Sequence, residues 1–282
     1  AQAIWAQARR SPPPQQPCRE PGGRARAMAA PAAKRRCVML NAARLDFDGR
    51  ISWDKVKETV ELTSHEISTD AEIVERVKGA EIVMNKEYPL PGKLIRSFPD
   101  SVKLICEAGT GYNNIDIEAC REKGIALCNV PEYTTEAMGD YAITLVLALS
   151  CSLGAQMKAL ARGDRTYMQQ CHLGQLPHFE IREKTLGIIG GLGYIAQNIT
   201  KKALALGIKV IASGRSTTPL GMRDNGVEVV SMGDLLKRSD FVIPMVPLSK
   251  QTTGLVDAAA FAKMKPTAFL INTARGPIVD QA

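Results

Sequence analysis

The chain has 282 residues, 45% apolar and 23% charged, a composition that suits a folded globular protein with room for two ordinary domains. Its net charge of +7 is confined to the first 36 residues, where eight Lys and Arg face Glu20 alone; the 28 bases and 28 acids that follow cancel, which argues against a nucleic-acid-binding body. Seven cysteines with no CxxC pair and no Cys/His cluster exclude a disulfide framework and a structural metal site, and no apolar run approaches the ~20 residues of a membrane span.

Residues 1–36 are rich in Ala, Arg, Pro and Gln and lack the apolar residues of a core, so they are expected to be a disordered extension. Residues 1–27 read either as an organelle transit peptide, Arg-rich and acid-poor, or as leader sequence without a role, with Met28 as the start. The body is accordingly expected in the cytoplasm, or in an organelle if that segment is a transit peptide. Cys106, Cys120, Cys128 and Cys151 sit in apolar surroundings in the sequence and are expected to be buried free thiols.

From Cys37 the pattern alternates between short apolar runs and helical spacing. Strands are predicted at Cys37–Asn41, Ala80–Met84, Lys103–Cys106 and Ile125–Cys128. Helices are predicted at Asp54–Glu61, Asp70–Lys78 and Asp116–Lys123, the last ended by Gly124. Thr135–Arg162 reads as one long helix, followed by an irregular connection to Glu183. A second α/β unit then begins. Its strands are predicted at Leu186–Gly190, Lys209–Ser213, Val227–Val230, Phe241–Val246 and Ala268–Asn272, with helices at Ile195–Leu206 and Met232–Arg238. The expected fold is α/β, two Rossmann-like parallel-sheet domains. Residues 37–138 would form a flavodoxin-like substrate domain, 139–183 a linking helix and connection, and 184–282 a dinucleotide-binding domain.

One turn carries a chemical signature. Gly191, Gly193 and Ala196 form GxGxxA after an apolar strand and before a helix. In that context Gly191 allows a tight turn, Gly193 lets the backbone approach a pyrophosphate, and Ala196 permits close helix–strand packing. The free N–H groups of the helix start would face the phosphates. An NAD site places an acid about 20 residues further on, at the end of the next strand. Here that strand end reads Gly214-Arg215-Ser216-Thr217, and no acid occurs between Ala196 and Arg223. A guanidinium can pair with a 2′-phosphate where a carboxylate would repel it. NADP is therefore the expected cofactor, held by Arg215 and Ser216, with NAD possible if Arg215 is only a surface turn residue. An extra glycine, Gly190, precedes the triplet and could offset the loop by one residue.

Three segments together resemble the D-isomer-specific 2-hydroxyacid dehydrogenases. They are Leu104–Asp116 with Gly124 and Asn129-Val-Pro131, the glycine turn with Lys184–Gly187 before it, and Ile271-Asn-Thr-Ala-Arg-Gly-Pro-Ile-Val-Asp280. The segment around Leu45–Asp48 is most similar to the glycerate dehydrogenase and glyoxylate or hydroxypyruvate reductase branch. The resemblance implies an oxidoreductase that reduces a small 2-oxo acid to the D-2-hydroxy acid with NAD(P)H; glyoxylate or hydroxypyruvate is the preferred substrate, with phosphoglycerate and D-lactate left open. It implies that the backbone at Thr110 and Gly111 holds the substrate carboxylate, and that Arg275 is catalytic, binding the carboxylate and polarising the 2-oxo group. It also implies cofactor contacts at Tyr194, Ile195, Val246, Pro247, Thr252, Thr273 and Ala274. A homodimer, with no nucleic-acid or membrane partner, is expected. The family's catalytic histidine and its supporting glutamate would fall beyond Ala282, so the 282 residues alone are expected to turn over little. His65, His172 and His178 precede the arginine segment and are expected in solvated loops. Two other readings stay open: a dehydrogenase-like NAD(P)-sensing corepressor, or an inactive fragment.

Overall fold

A computed structural model describes residues 33–166, 176, 178–191, 193–214, 220–223 and 225–281. The first sheet holds β1 (Arg35–Met39), β2 (Val60–Ser64), β3 (Ile82–Asn85), β4 (Leu104–Glu107) and β5 (Ala126–Cys128). All its pairings are parallel, in the order β2-β1-β3-β4-β5, which is the flavodoxin-like order. Helices α1 (Asp54–Thr59), α2 (Asp70–Arg76), α3 (Gly92–Arg96) and α4 (Ile117–Glu122) supply the crossovers. Val38, Val83 and Ile105 point from the strands into one core with Ile73, Ile95 and Phe98 from the helical layer, each 3% exposed or less.

The start signals at the helices are local and legible. Thr69 caps α2 in a reciprocal box with Glu72, and Asp116 caps α4 by accepting from the Ala119 N–H at 3.0 Å. Gly124 leaves α4 at φ +64°, a conformation that suits glycine. The predicted helix at Asp54–Glu61 is corrected: α1 ends at Thr59 and residues 60–64 turn into β2. Pairing of Val60–Ser64 along the whole of β1 overrides the helical spacing of the sequence there.

The second sheet holds β6 (Thr185–Ile189), β7 (Lys209–Ser213), β8 (Gly221–Met222), β9 (Glu228–Val229), β10 (Phe241–Pro244) and β11 (Phe269–Leu270), in the order β11-β10-β6-β7-β9-β8. Without the short antiparallel β8, this is the order of a dinucleotide-binding sheet, with its topological switch between β6 and β10. The expectation of an entirely parallel sheet is corrected at that edge strand. The long predicted helix is also corrected. It breaks into α5 (Thr135–Ser150) and α6 (Leu153–Ala161), bent by 67°. Ser152 sits at the break with φ +52°, while the Ser150 carbonyl accepts from the Phe179 N–H at 3.0 Å and the Cys151 carbonyl from Gln156 Nε2 at 2.6 Å. The chain satisfies the end of α5 and restarts, so apolar periodicity continues across a real corner.

Helix α5 lies along α7 (Tyr194–Ala205). Ala142, Ile143 and Val146 share a core with Ala196, Ile199 and Ala203, and Lys202 ties Glu136 at 3.0 Å and Asp140 at 2.7 Å. On the other side of the sheet, α8 (Met232–Arg238) and α9 (Ala258–Phe261) bring Leu235, Leu236 and Ala260 against Ile189, Ile211 and Val242. No single helix among the described residues is long and apolar enough to cross a membrane. The cysteine expectation holds for Cys120 and is corrected for Cys128, which is exposed; Cys106 and Cys151 are half-buried. Cys37 is buried as well, and burial, with a smaller contribution from Cys106, pushes its thiol up to about 12, so it is inert at neutral pH.

Candidate active site

The glycine turn sits at the switch point of the second sheet. Strand β6 ends at Ile189, and the Gly190 N–H donates to the Ser213 carbonyl at 2.7 Å while the Met245 N–H donates to the Ile189 carbonyl at 2.7 Å. The ends of β6, β7 and β10 are thus laced together under the turn. Gly190 has φ +82°, and a Cβ on it would lie 2.8 Å from the Met245 carbonyl oxygen. It is therefore Gly190, not Gly191, that makes the tight turn, which corrects the sequence assignment. Gly191 is needed for a different reason: its Cβ would lie 2.6 Å from that of Ala212 on β7.

Gly193 then opens α7 with no side-chain cap, and a Cβ built on it meets nothing within 4 Å. Ala196 is 1% exposed against the sheet, as helix–strand contact requires. A helix start without a side-chain cap, an open approach over Gly193 and the absence of any Asp or Glu in the sequence from Lys184 to Arg223 suit a pyrophosphate.

Around this turn Tyr194 is exposed, and Ile195 is half-buried against the core. Val246 packs on Gly190, and Pro247 follows it. Thr252 plays a shaping part. Its hydroxyl donates to the Pro247 carbonyl at 2.6 Å and accepts from the Ser249 N–H at 2.8 Å, closing the 247–252 turn. The Thr273 hydroxyl is buried with no hydrogen-bond partner among the described residues, next to Ala274 where the nicotinamide contact was expected. Arg215 and Ser216, on which the NADP expectation rests, lie outside the described residues.

The opposite half of the site grows from the switch point of the first sheet, between β1 and β3. Asn41, just past β1, clamps the backbone of Lys86, just past β3, donating to its carbonyl at 2.5 Å and accepting from its N–H at 3.0 Å. Beyond β4 the loop through Thr110 and Gly111 is pinned from outside: Asn129 donates to the Thr110 carbonyl at 2.8 Å, and the Thr110 hydroxyl donates to the Val130 carbonyl at 2.9 Å. The N–H groups of Thr110 and Gly111 meet no acceptor among the described residues.

Arg275 reaches this loop from the far end of the chain. Its Nε donates to Asn113 Oδ1 at 3.0 Å, and a Cβ on Gly111 would overlap its guanidinium. Asn272 braces the turn that carries it, donating to the Arg275 carbonyl at 2.8 Å and accepting from the Ala274 N–H at 3.1 Å. Arg275 has no carboxylate partner among the described residues; its other bond is to the Ala274 carbonyl at 2.9 Å. A cleft of about 340 Å³ opens here, lined by Glu87, Asn113, Asn114 and Arg275. A hollow of about 310 Å³ beside Leu147, Phe179 and Leu206 contains none of the expected site residues. His178 borders that hollow, His65 is half-buried elsewhere, and His172 lies outside the described residues.

Sequence reasoning did not single out Asn113, Asn272 or the polar group behind the cleft. In that group Glu107, 1% exposed, accepts from Asn85 at 2.8 Å, Asn114 at 3.0 Å and the Glu87 N–H at 2.8 Å. Lys86 beside it donates to Glu87 at 2.9 Å and to the Tyr133 hydroxyl at 3.1 Å. Burial alone would lower the lysine pKa, but its bonds to Tyr133 and Glu87 outweigh that and raise it, so it is an ammonium. The available signal was the position of Asn113 and Asn114 inside the Gly111–Asp116 segment, directly after the expected carboxylate loop.

Fold and site together define an α/β protein with the sheet order of a dinucleotide-binding domain, whose second sheet carries an open glycine turn and whose first carries a loop facing an arginine that has no carboxylate partner among the described residues. Residues 143–282 match the family described as D-isomer specific 2-hydroxyacid dehydrogenase, NAD binding domain. The chain is 35% identical to glycerate dehydrogenase of Methylorubrum extorquens over 76% of its own length and 65% of the relative's. It is 30% identical to hydroxypyruvate reductase of Blautia hydrogenotrophica over 85% of its length and 73% of the relative's. The holo structure of Rhodotorula graminis D-mandelate dehydrogenase superposes with a TM-score of 0.75 at 29% identity, covering 88% of this chain and 76% of that one. The chain belongs to the D-isomer-specific 2-hydroxyacid dehydrogenase family. It spans just under two thirds of the length of the glycerate dehydrogenase it matches.

Proposed function

We propose that the protein reduces a small 2-oxo acid, glyoxylate or hydroxypyruvate, to the D-2-hydroxy acid, using NADPH in preference to NADH. In this reading residues 37–138 form the substrate domain and 184–282 the cofactor domain. The observation that carries it is the meeting of Arg275 with the Thr110–Gly111 loop, which puts a guanidinium with no carboxylate partner among the described residues beside two backbone N–H groups that meet no acceptor there. That set matches a carboxylate with a carbonyl next to it. A nicotinamide cofactor held there would supply a hydride for C2, and the proton that completes the hydroxyl would be taken up from the medium. Arg275 binds the carboxylate and stabilises negative charge as it develops on that oxygen. The N–H groups of Thr110 and Gly111 fix the acid's orientation, and the turn at 190–193 with the start of α7 holds the pyrophosphate. The preference for NADPH rests on Arg215 and on the lack of an acid near it.

The test follows NADPH and NADH oxidation with each acid. In a chain continued past Ala282 to the expected histidine and glutamate, turnover at least tenfold more efficient with NADPH is expected; equal or better use of NADH would refute the role given to Arg215, and no oxidation of cofactor by that longer chain with any 2-oxo acid would refute the activity.

A homodimer is part of the same proposal. Tyr141, Leu147, Leu153, Met157 and Leu160 are exposed on α5 and α6, and their outward apolar surface suits a second copy. Light scattering is expected to give twice the chain mass, and the mass of one chain would count against it.

A further inference from the structure

The cleft holds one cation and one anion among its lining side chains, Arg275 and Glu87, together with the amides of Asn113 and Asn114. A single arginine can satisfy a single carboxylate. Whatever lies at the other end of a bound 2-oxo acid must then meet Asn113, Asn114 or Glu87.

Glu87 is held there against its own backbone preference. Its φ is +54°, a region that a non-glycine residue enters only with strain, and glycine would be at ease. Three bonds keep it in place. Its N–H donates to Glu107 Oε1 at 2.8 Å, its carbonyl accepts from Arg44 at 2.8 Å, and its carboxylate accepts from Lys86 at 2.9 Å. The two backbone bonds fix the residue's position regardless of its side chain. The side chain is 58% exposed, whereas that of Lys86 is 10% exposed, packed between Glu87 and Tyr133 and absent from the lining. An incoming anionic group therefore encounters the glutamate before the lysine behind it. A hydroxyl, by contrast, can donate a hydrogen bond to the same carboxylate.

We infer that Glu87 is the specificity-determining residue of this cleft, admitting 2-oxo acids with one negative charge and a small polar end and rejecting those with a second anionic group, such as a phosphate ester. The inference rests on the proposed reading of the cleft as a 2-oxo-acid site. Rejection by an opposing like charge is how a binding site discriminates between ligands that share their common half.

Calorimetric titration of the protein saturated with NADP+ separates binding from turnover, since the oxidised cofactor cannot reduce either acid. Hydroxypyruvate is expected to bind at least tenfold more tightly than 3-phosphohydroxypyruvate. Glu87→Gln keeps the size of the side chain and both backbone bonds, and should shrink that preference about tenfold; Glu87→Lys should reverse it. Glu87→Gly relieves the strained φ, and should shrink the preference without lowering the melting temperature, which separates specificity from folding. If both acids bind and Glu87→Gln leaves their ratio unchanged, the role of Glu87 is overturned. If neither acid binds the cofactor-loaded wild type, the 2-oxo-acid reading itself fails, and this inference falls with it.

Discussion

Replacing Arg275 with Gln is expected to lower kcat/KM for glyoxylate by about a thousandfold, roughly 4 kcal/mol of transition-state stabilisation, with little change in melting temperature. The two effects separate because of where the residue sits. Arg275 is half-buried at a turn, outside both cores, and the turn is braced by Asn272 acting on backbone atoms that survive the change. Among the described residues its guanidinium bonds Asn113 and the Ala274 carbonyl and no carboxylate, so no buried charge is stranded when it goes. What disappears is the fixed positive fork beside Gly111. Arg275→Lys should recover little, because an ammonium is a point charge that cannot keep the Asn113 bond and grip a carboxylate in the same geometry. A loss smaller than tenfold for Arg275→Gln in steady-state kinetics would remove the arginine from the reaction.

The glycine turn predicts a separation of the opposite kind. Gly190→Ala should destabilise the protein by about 2–3 kcal/mol, lowering the melting temperature by roughly 5–10 °C. It forces a side chain to φ +82° and drives a Cβ toward the backbone of Met245, where β6 and β10 meet. Gly193→Val should leave the melting temperature within about 0.5 kcal/mol equivalent of the wild type. Its φ of −81° suits any residue, and the space over it is open. Yet NADPH affinity, read by fluorescence titration, should fall at least tenfold, because the side chain would occupy the approach of the pyrophosphate. Normal NADPH binding by Gly193→Val would place the phosphates elsewhere, and an unchanged melting temperature for Gly190→Ala would contradict the turn described above.

These two glycines also show what sequence can and cannot reveal. The motif marks the turn, its strand and its helix, and β7 and α8 fall at their predicted bounds. Which glycine carries which burden depends on backbone dihedrals and on neighbours such as Ala212 and Met245, and no spacing rule encodes those. Residues 54–61 read as one helix because Val56, Val60 and the acids among them keep helical spacing; β2 exists because β1 offers it an edge. The corner at Ser152 was hidden in the same way, since apolar residues continue on either side of it. Arg275, Thr110 and Gly111 were legible from their segments. Glu87 was not, because nothing in the sequence marks a glutamate in a left-handed conformation at a strand end.

The bond between Arg275 and Asn113 joins residues 162 apart in the chain. A flexible chain of that length would lose roughly 4–5 kcal/mol of entropy in closing on itself, more than the ~1.5–3 kcal/mol that one charged hydrogen bond returns. The contact therefore cannot nucleate folding; it follows once both sheets stand, each assembled from strands much nearer in sequence. The reactive cleft is the last part of the molecule to become whole. It should also be the first to be lost, with activity fading under mild denaturant before either core opens.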